Sequence, residues 1–363
     1  MAIYTGTAGP DVYVGTPTRD IISGLGGNDE LHGGDGDDTI DGGAGDDLIF
    51  GDAGADFLTG GAGVDLVDGG AGNDILHVQE GEVSPAGDHY IGGSGTDTLT
   101  IDGPDNSVVT DITAATIDGD IENLDGNPSG VRATRAQIAG FISIAISVYV
   151  ADGGALNLTG QSFAGTLHLS DAGNQITLSK TALYVEVDGG AGADTIVGGD
   201  HGTIYRAGGG DDLVYGGSGG DYFYDGGGND LYNGGGGTDN FFITAQTTAG
   251  DQFIGGAGTD FIRFVGTPVD LSTYNIGTDI EGIAGTDLHL TAAQANRFTT
   301  IWSDVVMLTS AGTIVLHDDS FIGRTLNLSD QGNSVDLSGG LRPTPLMAGR
   351  ALTRSSGAAR AVS

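Results

Sequence analysis

Cut from Gly6, the chain repeats every nine residues: GTAGPDVYV, GTPTRDIIS, GLGGNDELH, GGDGDDTID, GGAGDDLIF, GDAGADFLT, GGAGVDLVD and GGAGNDILH, ending at His77 without an insertion. Position six is Asp in all eight copies, as Asp11, Asp20, Asp29, Asp38, Asp47, Asp56, Asp65 and Asp74. Position eight is apolar in all eight, as Tyr13, Ile22, Leu31, Ile40, Ile49, Leu58, Val67 and Leu76. A fixed period of this kind constrains the fold more tightly than any local propensity, because each unit must stack on its neighbours to bury its apolar face.

A second block in the same phase runs from Gly189 to Phe242, with Asp194, Asp212, Asp221, Asp230 and Asp239 at position six and Thr203 as the one exception. Position eight is again apolar, as Ile196, Tyr205, Val214, Phe223, Tyr232 and Phe241. Single copies recur at Gly92–Thr100 and Gly255–Arg263, and the stretches after them match: Asp120-Ile-Glu-Asn-Leu-Asp-Gly126 aligns with Asp279-Ile-Glu-Gly-Ile-Ala-Gly285. The chain is therefore a tandem duplication of about 160 residues. The expected organisation is a repeat block with cap and connector over 1–91, a β-rich module over 92–188, a second block over 189–254, the duplicate module over 255–338, and a basic, disordered tail over 339–363. Alternating Leu, Ile and Thr in the modules reads as short strands, with one helical turn near Thr134–Ile138 and Thr291–Ala295.

Within a nonapeptide the first six residues are turn formers and the last three can be extended, with position eight facing one way and positions seven and nine the other. Two nonapeptides close one coil, so repeats k and k+2 lie about 4.8 Å apart as neighbouring strands. The position-six carboxylates then form two parallel stacks. Ionised carboxylates at that spacing repel by roughly 3 to 4 kcal/mol per pair at an effective dielectric near 20.

A cation must separate them, and the blocks carry almost no Lys or Arg. Of the 49 acidic residues 43 are Asp, and the formal net charge is -37. With no Cys and few His, the donors are Asp carboxylates and turn carbonyls, an oxygen set that suits Ca²⁺ better than zinc or copper, with Mg²⁺ second. The expected ligands are Asp20, Asp29, Asp38, Asp47, Asp56, Asp65, Asp74, Asp194, Asp212, Asp221, Asp230 and Asp239. Two buried side chains per coil cannot offset the ordering of eighteen backbones, so folding is expected to be coupled to several calcium ions.

The same composition excludes other classes. An acidic surface repels phosphate, so nucleic acid is not a partner. No segment has the apolar length of a transmembrane span, and Phe141–Ala151 alternates like a strand. The first ten residues lack the basic and apolar parts of a cleaved signal peptide.

These nonapeptides resemble the hemolysin-type calcium-binding repeats of the repeats-in-toxin (RTX) family. The resemblance implies an all-β, right-handed parallel β-roll, or β-solenoid, with Ca²⁺ bridged between coils by the position-six Asp and turn carbonyls. It also implies an extracellular protein, exported without a cleaved signal by a type I apparatus and folding outside the cell. The sequence departs from the family pattern in places. No enzymatic or pore-forming region is recognisable, the tail is basic, the first two repeats lack most turn glycines, and Thr203 replaces an Asp. Asp11, Asp20 and the site at residue 203 are the weakest, and the first two repeats suit a cap.

Other motifs read more plainly as structure. Position five offers Asn28, Asp37, Asp46, Asn73, Asp211 and Asn229, expected to make turn hydrogen bonds rather than bind metal. The G-x-S-x-G at Gly216–Gly220 lies inside a repeat, which makes Ser218 a turn residue and not a nucleophile. Repeats k and k+2 align Arg206, Tyr224 and Phe242 at outward position nine, either a cross-strand stack or a platform for sugar rings. The function expected is a secreted or cell-surface calcium-binding structural protein, not an enzyme. The alternatives are a carbohydrate-binding module or non-catalytic part of an epimerase-like polysaccharide-modifying enzyme, its partner an extracellular polysaccharide, and a truncated hydrolase.

Overall fold

The computed structural model describes the chain apart from residues 79–86, 103–108, 127–128, 179–184, 245–249, 267–268, 271–273, 318–320, 329–332, 340–350 and 355–363. It forms two compact units, Met1–Glu186 and Val187–Ser363. Each is a parallel β-solenoid, with only two short helices among the described residues.

In the first unit, positions seven to nine extend, as the sequence pattern requires; from Glu30 to Ala71 the strands also take in positions one to three of the next repeat, which the pattern had assigned to the turn, and the register is set by two nonapeptides per coil. Ile22 pairs with Ile40 and Ile40 with Leu58 on one side, while Tyr13 pairs with Leu31 and Leu31 with Ile49 on the other. Alternate repeats therefore feed two facing sheets. One runs Ile3–Thr5, Ile21–Ser23, Thr39–Ala44, Phe57–Ala62, Ile75–Val78 and Thr98–Ile101; the other runs Val12–Val14, Glu30–Asp35, Leu48–Ala53, Leu66–Ala71 and His89–Ser94. Position-eight side chains fill the space between them, and Leu31, Ile40, Ile49, Leu58, Val67 and Leu76 are each 0% exposed. The end coil is thinner. Its strands have three residues each, and Tyr4 stacks on Tyr13 at 4.0 Å where later coils would bury an aliphatic pair.

The sheets run on past the repeats: Thr98–Ile101 pairs with Asn123–Gly126, which pairs with Ser143–Ile144, which pairs with Ser162–Phe163. The stretch after the repeats thus continues the same solenoid with longer, less regular coils. The helical turn expected near Thr134 is the helix Arg135–Gly140. Its capping box has the Thr134 N–H donating to Gln137 Oε1 at 2.8 Å and the Gln137 N–H returning to Thr134 Oγ1 at 3.3 Å.

The second unit repeats this plan. Thr203–Arg206, Tyr222–Tyr224, Asn240–Ile243, Phe261–Phe264, Gly282–Leu290 and Thr300–Leu308 form one side; Thr195–Val197, Leu213–Gly217, Leu231–Gly237 and Gln252–Gly258 form the other. Its core is aromatic, with Phe223 stacked between Tyr205 at 5.1 Å and Phe241 at 4.8 Å. Thr291 and Gln294 cap the helix Ala292–Ala295 in the same way as the first copy. Of the basic tail, Ala351–Arg354 forms a strand beside Phe321–Leu328, and the residues around it lie outside the described ones.

Neighbours on one strand should separate core from surface. Leu58→Ala is expected to destabilise the folded chain by about 2 to 5 kcal/mol, several times the cost of Phe57→Ala, whose side chain is 37% exposed. Equal shifts in the urea midpoint would contradict the inward assignment of position eight.

Candidate metal centre

The period of eighteen places the carboxylates in two rows per unit, and each row is tied by its own backbone. The N–H of one Asp donates to Oδ1 of the Asp a coil further on. In the first unit one row runs Asp11, Asp29, Asp47, Asp65 and Asp88, with N···O distances of 2.8, 2.8, 2.8 and 3.0 Å. The other runs Asp20, Asp38, Asp56, Asp74 and Asp97, at 2.6, 2.7, 2.8 and 2.8 Å. In the second unit Asp194, Asp212, Asp230 and Asp251 form one row, at 2.8, 2.8 and 2.9 Å. Thr203, Asp221, Asp239 and Asp260 form the other, at 2.7, 2.8 and 2.9 Å.

In most of these residues the second oxygen has no such donor. Oδ2 of Asp29, Asp38, Asp47, Asp56, Asp65, Asp74, Asp97, Asp212, Asp221, Asp239 and Asp260 is buried with no hydrogen-bond partner. A buried carboxylate oxygen left unpaired costs several kcal/mol unless something cationic meets it. Position-one glycine shows what surrounds it. A Cβ built on Gly51 would lie 2.5 Å from Asp56 Oδ2 and 2.5 Å from the carbonyl oxygen of Gly69, one coil on. Any side chain there would fill the space in which carboxylate and carbonyl oxygens converge. The donors are hard, anionic or neutral oxygens on rigid turns, and they fit Ca²⁺. Here the ion would supply the positive charge that the rows lack, held by the position-six carboxylates and turn carbonyls.

Asp20 stands apart from the other expected ligands. Its carboxylate accepts from the Ala2 N–H, from the Thr16 N–H at 2.6 Å and from Thr16 Oγ1 at 3.0 Å. Those bonds, from Ala2 and then Thr16, hold its pKa below the ordinary carboxylate value. Asp11 is met in the same way by the N–H and hydroxyl of Thr7, at 2.6 and 3.1 Å. Both repeats have Thr where most later ones have Gly, so these two carboxylates are met by donors of the chain's first coil. Thr203 has no carboxylate, and its hydroxyl donates to the His201 carbonyl at 3.3 Å.

The expected ligand set omitted five Asp of the rows: Asp11, held to be one of the weakest sites, and four others. Asp97 and Asp260 sit at position six of the single copies and were legible there. Asp88 and Asp251 follow breaks in the nonapeptide period, and only the folded register brings them into line. Asp225 was also missed. It occupies a position one that is otherwise usually glycine, and its carboxylate gathers with those of Asp230 and Asp251, oxygens all within 4.8 Å of one another. The Tyr232 hydroxyl donates to Asp230 Oδ2 at 3.3 Å.

Position five hydrogen-bonds to backbone, but from coil to coil and not within its own turn: Asn28 Oδ1 accepts from Asp46 N–H at 3.1 Å, Asp37 Oδ1 from Ala55 N–H at 3.0 Å, and Asp46 Oδ1 from Val64 N–H at 3.0 Å. The outward line also forms. Tyr224 and Phe242 stack at 4.5 Å and 7°, with the Arg206 guanidinium 5.1 Å from the Tyr224 ring. Rings stacked face to face along the solenoid use their faces on each other, which favours the cross-strand ladder over a sugar platform.

Two solenoids whose coils share rows of buried carboxylates define a calcium-binding repeat protein. A family model of the RTX calcium-binding nonapeptide repeat matches residues 5–40, 14–49, 41–76, 186–201 and 206–241, and both blocks belong to that repeat family. No curated protein sequence matches the chain.

Burial, helped by the like charges beside them, pushes up the carboxylic acids of Asp56 and Asp65, to about 7, and of Asp212, to about 8. Each binds its proton more tightly folded than unfolded. Stability without the ion is therefore greatest below the ordinary carboxylate range and is lost as pH rises towards about 8. Calcium needs the ionised form, so protons compete with it over the same window. In excess chelator, the circular dichroism of the chain is expected to gain β-structure as pH falls from about 8 towards the ordinary carboxylate range. With calcium present, the titration midpoint should move to higher calcium over the same fall. The opposite trends would contradict the burial of these acids.

Proposed function

We propose that this is a calcium-binding structural protein, exported from the cell or displayed on its surface, whose two rolls fold as they take up several Ca²⁺ ions. The observation that carries this reading is the set of buried, unpartnered Oδ2 atoms repeating coil by coil. Their counter-charge has to come from outside, because the chain has no Lys or Arg between Ile21 and His77 and only Arg206 between Gly189 and Phe242. Low calcium inside a cell and high calcium outside would keep such a chain extended for export and order it afterwards. No helix among the described residues is long and apolar enough to cross a membrane. The reading assigns the chain a structural role, and it takes Ser218, whose hydroxyl donates to Asp200 at 3.3 Å, as a residue of the repeat and not a nucleophile.

A calcium titration by circular dichroism, with magnesium as control, tests the reading. The chain is expected to gain β-structure with calcium and far less with magnesium. The same compact β-structure in excess chelator at neutral pH would defeat it. Asp38→Ala and Asp56→Ala are each expected to weaken calcium binding at least tenfold, about 1.4 kcal/mol or more. Because Asp38 and Asp56 are adjacent members of one row, tied by the Asp38 N–H to Asp56 Oδ1, and would hold an ion shared between their coils, their effects should be markedly non-additive in a double-mutant cycle. Asp35→Ala, at exposed position three, should change stability by no more than about 0.5 kcal/mol.

A further inference from the structure

Beyond the last nonapeptide of one row in each unit lies the duplicated Asp-Ile-Glu motif, Asp120-Ile121-Glu122 and Asp279-Ile280-Glu281. Strand register shows what it replaces. Thr98 pairs with Asn123 and Phe261 with Gly282, so Glu122 stands in register with Asp97, and Glu281 with Asp260. The Asp97 N–H donates to Glu122 Oε2 at 2.7 Å, and the Asp260 N–H to Glu281 Oε2 at 2.9 Å. In every earlier coil of these rows that bond goes to Oδ1 of the next Asp.

Three residues do the work of a six-residue turn. A Cβ built on Gly69 would meet Asp74 Oδ2 at 2.5 Å and the carbonyl oxygen of Gly92 at 2.6 Å, the usual environment of position one. On Gly92 it would meet Asp97 Oδ2 at 2.7 Å and the carbonyl oxygen of Asp120 at 2.7 Å, and on Gly255 Asp260 Oδ2 at 2.5 Å and the carbonyl oxygen of Asp279 at 2.6 Å. The first residue of the motif thus puts its carbonyl where the next coil's position-one carbonyl would be. Its side chain also takes glycine N–H groups of the last repeat: Asp120 accepts from Gly92 at 3.1 Å and Gly93 at 2.9 Å, and Asp279 from Gly256 at 2.8 Å. The middle isoleucines are each 1% exposed and anchor the motif in the core.

Asp97 and Asp260 are themselves 0% exposed, and Oδ2 of each has no partner while facing the motif's carbonyl. We propose that each Asp-Ile-Glu motif completes a terminal calcium site, held by Asp97 Oδ2, the Asp120 carbonyl and the Glu122 carboxylate in the first unit, and by Asp260 Oδ2, the Asp279 carbonyl and the Glu281 carboxylate in the second. Each of these rows then carries one more ion than its nonapeptides alone could hold. The inference rests on the calcium reading of the rows, and the experiment separates the two.

The test counts calcium ions on the full chain by native mass spectrometry at a fixed free calcium concentration that just saturates the wild type. Glu122→Gln keeps a carbonyl oxygen to accept the Asp97 N–H but removes the charge, and Glu281→Gln does the same for Asp260. Each variant is expected to carry one ion fewer and the double variant two fewer, with the remaining ions bound as before. An unchanged count in the Gln variants, even with a lowered melting temperature, would reduce the motif to a hydrogen-bonding cap and overturn the proposal. A wild type that takes up no calcium defeats the calcium reading and this proposal together. A wild type that binds calcium while both Gln variants match its count defeats this proposal alone.

Discussion

Everything in the two solenoids is arranged around carboxylates of one sign, buried one coil apart. From Asp29 to Asp74, each position-six Asp uses one oxygen to accept the N–H of the Asp a coil earlier and turns the other towards position one of its own repeat. The first interaction fixes the register as firmly as any strand pairing, since it exists only at a spacing of one complete coil. The second leaves a charge that no side chain of the repeat can answer. Position one is glycine in most repeats for the same reason: the volume a Cβ would occupy on Gly51 is where Asp56 Oδ2 and the Gly69 carbonyl converge. Asp and Gly are thus coupled requirements of one turn.

The ends of the rows show how such a ladder is closed without a further repeat. At the start, Thr7 and Thr16 replace glycine and give hydroxyl and N–H donors to Asp11 and Asp20, so that these two carboxylates are met by donors of the first coil. At the other end of one row, Asp120 and Glu122 take the hydrogen bonds that the next coil would have taken. The companion row ends at Asp88, where the Tyr90 hydroxyl donates to Oδ2 at 3.1 Å. Repeat proteins need end coils that differ from the middle ones, and here the difference lies in who answers the carboxylate.

The sequence made most of this legible because the period is fixed. The two-repeat coil, the inward position eight and the stacked Asp rows follow from spacing alone, and the Thr-x-x-Gln pairs at Thr134 and Thr291 mark the two helix starts. Legibility failed where the period broke. Asp88 lies 23 residues after Asp65, and Asp251 21 residues after Asp230, so neither falls on the nine-residue count, and only the strand register brings them into line. Asp225 was hidden for another reason, since an acid at position one reads as a lapse in the glycine pattern until the coil brings it beside Asp230 and Asp251. The outward ring line was visible, but only the 7° stacking of Tyr224 on Phe242 showed that the ring faces are already used.

The scarcity of glutamate follows from the same geometry. Within a nonapeptide, the carboxylate must reach the N–H one coil back while its second oxygen stays above position one, and an added methylene would carry it about 1.5 Å further, into the space of the turn carbonyls. Only where the turn shortens from six residues to three does the backbone approach along another line, and there the longer side chain fits. Two of the six glutamates in the chain, Glu122 and Glu281, stand at those two places, in register with Asp97 and Asp260. The choice between Asp and Glu therefore follows turn length rather than charge, and the row keeps its carboxylate at every coil from Asp20 to Glu122 although the turn that presents it changes.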